Sequence, residues 1–142
     1  MKSNEKTMLT VQAIVPAPVD RVWKFWTSPE DIIKWNNASD DWHTPRAEND
    51  LRVGGKFSSR MEARDGSMGF DFEGIYETVK INEQIEYVIG DSRKVRIDFS
   101  AIGDETKVVE TFEAENTHSI ELQQSGWQAI LDNFKKYVEE NK

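Results

Sequence analysis

A chain of 142 residues is long enough to bury a sizeable core and short for two, so a single domain over residues 1–142 is expected. Its 26 acidic residues outnumber 18 basic ones, and the net charge of −8 repels phosphate backbones and anionic lipid surfaces, which argues against nucleic acid as a partner. Without cysteine, disulfides, thiolate zinc sites and cysteine nucleophiles drop out together, and with no run of signal-peptide or membrane-span length the expected location is the cytoplasm.

In chain order, residues 1–7 are polar and expected to be a flexible N-terminus. Leu9, Val11, Ala13 and Val15 then alternate with Thr10, Gln12 and Ile14, the pattern of a strand with one buried face, which stops at Pro16. Pro18 suits a first helical position, and Val19, Val22, Trp23 and Trp26 follow at helical spacing. Ser28 reads as the N-cap of a second short helix, with Pro29 at its first position and Glu30 and Asp31 against the positive end of its dipole, running to about Trp35. The segment from Asn36 to Gly55 is polar and reads as a loop with one short strand near Trp42 to Glu48. Its part from Asn36 to Leu51 is expected to act as a lid anchored by Trp42, with a rigid edge strand as the alternative. The glycine pair Gly54 and Gly55 permits a sharp entry into the next strand.

Alternation then returns near Lys56 to Ala63, Gly69 to Val79, Ile85 to Ile89, Lys94 to Ala101 and Thr106 to Glu113. The links "RDGS", "INEQ", "GDSR" and "GDET" are turn signals, so these runs form an antiparallel meander. Trp127, Ile130, Leu131, Phe134, Tyr137 and Val138 make an apolar stripe on a long helix beginning near Ser119. The class is therefore α+β: a curved antiparallel sheet wrapped around a long C-terminal helix, with two short helices after the first strand. A curved sheet and a straight helix do not fit flush, which favours a cavity between them.

The pieces "APVDRVWKFWTSPEDIIKW", "DLRVGGKF", "DGSMGFDFEGIYETV", "ETFEAE" and "QQSGWQAILDNFKKYVE" occur in an order that resembles the homologues of the heat-shock protein 90 ATPase activator. That family lies within the START-like or SRPBCC superfamily, of the Bet v I-like helix-grip kind. The resemblance spans roughly Leu9 to Glu139 and implies a helix-grip fold around a hydrophobic cavity. Its members range from co-chaperone domains to proteins that bind or process small apolar molecules such as polyketides, so it leaves activity open. The eukaryotic co-chaperone carries a separate partner-binding domain before this one, whereas about eight polar residues precede the first strand here. A chaperone partner is thus weakly supported.

For the cavity, the residues expected to bind ligand are Trp35, Trp42, Met61, Phe72, Tyr76, Tyr87, Phe99, Phe112, Gln123, Gln124, Trp127 and Leu131. Gln123 and Gln124 fall on the apolar stripe, where their amides either point at the cavity or satisfy loop backbone groups. Tyr76, Tyr87 and Trp127 would supply polar handles in an apolar pocket. Gly126, inside the same helix, costs roughly 1 kcal/mol against alanine, which close packing or cavity volume would have to offset.

Glu110 is the candidate acid or base. If Val108, Glu110 and Phe112 face inward it is a carboxylate in an apolar cavity, but the reading favoured on sequence is a solvated or salt-bridged glutamate, and the same holds for Asp71. His43 and His118 lack metal-ligand spacing, and no nucleophile motif or phosphate loop is present, so no metal and no cofactor are expected. The leading functional expectation is binding of a small hydrophobic, lipid-like or polyketide-like molecule. A cyclase- or hydrolase-like enzyme using Glu110 and a chaperone-associated interaction domain are the alternatives.

Overall fold

The computed structural model describes residues 7–90 and 92–141. All of the expected N-terminal segment except Thr7, which accepts a hydrogen bond from Ala114 N at 2.8 Å, lies outside the described residues. The elements run β1 (Met8–Val15), α1 (Val19–Thr27), α2 (Pro29–Trp35), β2 (Trp42–Asn49), β3 (Lys56–Ala63), β4 (Gly69–Lys80), β5 (Gln84–Ile89), β6 (Lys94–Ile102), β7 (Glu105–Glu113) and α3 (Ile120–Asn141).

All strands join one antiparallel sheet of seven, in the order β1-β7-β6-β5-β4-β3-β2. Consecutive hairpins build the run from β2 to β7, and β1 closes onto β7 from the other side with Val11 opposite Glu110 and Leu9 opposite Phe112. One face of the sheet carries Leu9, Val11 and Val15, then Val108 and Phe112, then Val95, Ile97 and Phe99, all buried. Against it lies α3, whose Leu131, Phe134 and Val138 are fully enclosed. This is the helix-grip arrangement expected from the order of periods along the chain.

The helix starts are set locally. Ser28 occupies the N-cap of α2 with Pro29 at the first position, while Pro18 is the N-cap of α1 rather than its first residue, with ψ of 155° still extended. Ser119 Oγ accepts from Leu122 N at 3.1 Å and opens α3. Between α2 and β3, a Cβ on Gly55 would collide with the Asp50 carbonyl and Gly54 holds a φ of 85°, so the turn into β3 needs both glycines.

The segment read as a loop with one short strand carries that strand as β2, one residue longer than expected. β2 is the edge strand of the sheet and pairs with β3 from Trp42–Ala63 to Asn49–Phe57, with a register shift between His43 and Arg46. Side chains tie its surroundings to the helices: Thr44 Oγ1 donates to Asn36 O at 2.6 Å, Asn49 Nδ2 to Thr27 O at 2.7 Å, and Asn133 Nδ2 of α3 to Trp35 O at 2.7 Å. Alternation in "WHTPRAEN" is interrupted at Pro45, where the register with β3 shifts.

Candidate functional site

Alternation fixes which side chains face α3. On β3 these are Phe57, Ser59 and Met61, paired across to Gly74, Phe72 and Phe70 of β4. Tyr76 of β4 stands opposite Tyr87 of β5, and Ile85 of β5 opposite Ile97 of β6. On β1, β7 and β6 most of the inward side chains, and Leu131, Phe134 and Val138 of the C-terminal half of α3, are buried. Toward β3, β4 and β5 the sheet face diverges from the N-terminal half of the helix and leaves a cavity of about 310 Å³.

The sheet side of the cavity is formed by Phe57, Ser59 and Met61, then Phe70, Phe72 and Tyr76, then Ile85 and Tyr87, with Glu110 at the β7 end. Gln123, Trp127 and Ile130 of α3 cover it, and Trp26, Ile32, Trp35 and Asn36 bound one side. Glu48 and Asn49 of β2, Arg93 and Glu115 complete the lining, which reaches solvent at the exposed Glu48 and Phe70. Gly74 makes the aromatic wall possible: a Cβ there would lie 2.6 Å from the Phe57 ring. That ring packs edge-on to Tyr87 at 4.7 Å and tilted against Tyr76 at 5.3 Å.

The polar groups divide into those already engaged and those free to meet a ligand. Tyr76 donates its hydroxyl to Asn49 Oδ1 at 2.5 Å, and burial pushes its pKa well above the ordinary tyrosine range. Gln123 is consumed locally: its Oε1 accepts from Glu115 N at 2.8 Å and its Nε2 donates to His118 O at 2.9 Å. Trp35 donates its indole N–H to Phe25 O at 3.0 Å. Tyr87, by contrast, has no hydrogen-bond partner among the described residues, and burial together with the nearby Glu110 carboxyl pushes its hydroxyl far up.

Glu110 corrects the sequence reading. The register opposite Val11 and Ile97 turns it inward, only 5% exposed, rather than into solvent. No described residue donates a hydrogen bond to it, and burial pushes its carboxyl up to about 8. Asp71 does lie outside, exposed and 3.5 Å from Arg60. His43 sits 3.8 Å from Glu62 and His118 3.0 Å from Glu115, and no three metal-ligating side chains come together among the described residues.

Of the residues expected to meet ligand, the fold brings Trp35, Met61, Phe72, Tyr76, Tyr87, Gln123 and Trp127 onto one cavity, together with Glu110. Five lie elsewhere. Phe112 is covered by Trp127, which stacks on it at 3.9 Å with 9° between the planes, and so takes its place in the wall. Phe99 packs beneath α1 against Trp23 at 5.2 Å and Trp26 at 5.9 Å. Leu131 is fully enclosed in the core. Gln124 is exposed and donates to Thr10 O at 3.0 Å, bridging α3 to β1. Trp42, beyond the register shift in β2, rests half-buried on Phe70 at 6.0 Å.

Gly126 is not forced by packing either, since a Cβ there would meet nothing within 4 Å. Sequence reasoning passed over Phe57, Ser59, Phe70, Ile85 and Ile130. The two-residue period through Met61, Phe72 and Tyr87, and the three-residue step from Trp127, carried the signal for them.

Similarity to known proteins agrees with this geometry. The model of the family described as Activator of Hsp90 ATPase homolog 1-like protein matches residues 16–139. The solution structure of an AHSA1-like protein from Aeromonas hydrophila is 43% identical, with a TM-score of 0.89 over 94% of this chain and 93% of that one. A solution structure from Cytophaga hutchinsonii is 56% identical, with a TM-score of 0.81 over 93% and 92% of the two chains. A crystal structure from Nitrosomonas europaea shares the fold at 18% identity and a TM-score of 0.79 over 94% of each chain. No curated protein matches. The chain belongs to the Activator of Hsp90 ATPase homolog 1-like family, within the START-like superfamily.

Proposed function

We propose that the protein binds a small, mostly apolar molecule in the cavity between its sheet and the N-terminal half of α3. The observation that carries this reading is the lining: aromatic and aliphatic side chains from six elements make most of the wall around about 310 Å³, with polar groups set among them, the composition that suits a small-molecule site. Rings at Phe57, Phe72, Tyr87 and Trp127 favour a planar or ring-bearing ligand over a flexible chain, because edge and face contacts reward a fixed geometry.

The test is ligand-detected NMR with a panel of lipids and aromatic natural products on the wild type and on Gly126→Leu. Gly126 is three residues after Gln123 and four before Ile130, and a Cβ there meets nothing within 4 Å, so a leucine at this position is expected to reach toward the space they line. The expected result is at least tenfold weaker binding by the variant with stability kept or raised, glycine being about 1 kcal/mol worse than alanine inside a helix. Equal affinity in both proteins, or no binding from any class in the panel, would refute the reading.

A second reading, acid–base chemistry on the bound molecule, is favoured by Glu110, whose carboxyl titrates near neutrality inside the cavity. Under it, Glu110→Gln lowers turnover by about 10²- to 10⁴-fold. A pure binder has no turnover to lose.

A further inference from the structure

Glu110 is 95% enclosed by the fold, with 5% of its surface exposed, and accepts no hydrogen bond from any described residue. Buried carboxylates in folded proteins are almost always paired, because stripping one of water without a partner is costly. This one is left open on the side where the cavity lies. Around the same space stand the rings of Tyr87, Phe57, Phe72 and Trp127, with Phe72 edge-on to Tyr87 at 6.5 Å and to Trp127 at 6.3 Å. Aromatic faces attract cations through their quadrupoles, and more strongly where water is excluded.

Among the other charged groups of the lining, Glu48 and Glu115 add negative charge, and Arg93 is engaged in interactions of its own. We propose that the site selects an organic cation: a ligand with an aromatic or aliphatic body in the aromatic half of the cavity and one ammonium group paired with Glu110. This rests on the ligand-binding reading and names the ligand class.

Ionic pairing fixes the pH dependence. The titratable group beside Glu110 is Tyr87 of β5, raised by burial, with Tyr76 of β4, Glu48 of β2, Arg93 and Glu115 along the rest of the lining. Its neighbours on β1 and β6 are the uncharged Val11 and Ile97, and α3 presents Gln123, Trp127 and Ile130. In the free protein the Glu110 carboxyl holds its proton up to about pH 8. A cation that requires the carboxylate displaces that proton, so its affinity rises with pH by about tenfold per unit until the free carboxyl ionises.

The experiment titrates 2-naphthylmethylamine, 2-naphthylmethanol and 2-methylnaphthalene into the full chain between pH 6 and pH 8, where the amine stays protonated, and follows tryptophan fluorescence. The expected result is that the amine binds at least tenfold tighter than the alcohol at pH 8. Its affinity falls about tenfold for each unit of acidification, while the neutral probes stay flat. In Glu110→Gln the amine-to-alcohol ratio collapses to about one. Alcohol or hydrocarbon binding as tightly as the amine overturns the cation assignment while leaving the apolar site intact. Amine binding with no pH dependence overturns it without any variant. Binding of none of the three removes both readings for planar aromatic ligands.

Discussion

Burial of Glu110 makes the stability of the domain depend on pH. An unfolded glutamate ionises near 4.5, whereas burial holds this one protonated to about 8. Below pH 4.5 both states carry the proton and burial costs little. Between 4.5 and 8 the unfolded chain ionises while the folded one does not, so the folded state loses ground steadily, and above 8 the deficit is complete. Glu110→Gln keeps the shape and removes the charge. The variant is therefore expected to be more stable than the wild type at pH 9, by an amount on the order of a few kcal/mol, with the difference shrinking toward zero at pH 5. Urea titrations at the two pH values check this, and a constant difference would mean that Glu110 is not the titrating group. The sequence could not supply this result, because "VVETFE" reads equally well in two registers that differ by one residue, and only the pairing with Val11 and Ile97 decides between them.

At the scale of elements the sequence is more informative, since hydrophobic period, proline and turn residues act locally. The strands β3 to β7 fall within a residue or two of the alternating runs, and α3 begins one residue after Ser119. Edge strand β2 also falls within one residue, but its pairing with β3 was not legible, and the helical stripe that held Gln123 could not reveal what its amide would meet. That amide links α3 to the segment leading out of β7, satisfying Glu115 N and the Glu115 and His118 carbonyls at distances of 2.8, 3.2 and 2.9 Å. Gln123→Ala removes these partly buried hydrogen bonds and is expected to cost about 1 kcal/mol in thermal or chemical unfolding. Affinity for a cavity ligand should change little by comparison. A loss of affinity without a loss of stability would instead place the Gln123 amide on the ligand.

The whole molecule is uneven in how firmly it is held. Its C-terminal half of α3 sits on fully buried Phe134, Leu131 and Val138, and Phe134 meets Trp26 and Trp35 each at 4.8 Å. The cavity occupies the other half, and there the boundary consists of α2, edge strand β2 and the links around them, joined to the rest by the Thr44, Asn49 and Asn133 side-chain hydrogen bonds. An edge strand has backbone groups on one side only in the ladder, while β6 and β7 are paired on both sides. Local opening should therefore begin at β2 and the 36–41 link, and the amides there should exchange faster than those of β6 and β7. Among the tryptophans, Trp42 on its Phe70 support lies at the loose margin and Trp35 at the firm one. A bound molecule contacts Trp35, Asn49 and Phe57 at once and joins the margin to the core, so under the proposed function exchange slows at β2 and α2 and hardly at all in β6. Hydrogen exchange followed by mass spectrometry, with and without a saturating cavity probe, reads this directly. Equal protection of Trp42 and Phe99 in the free protein would show instead that β2 is as rigid as the centre of the sheet and that ligands enter without its opening.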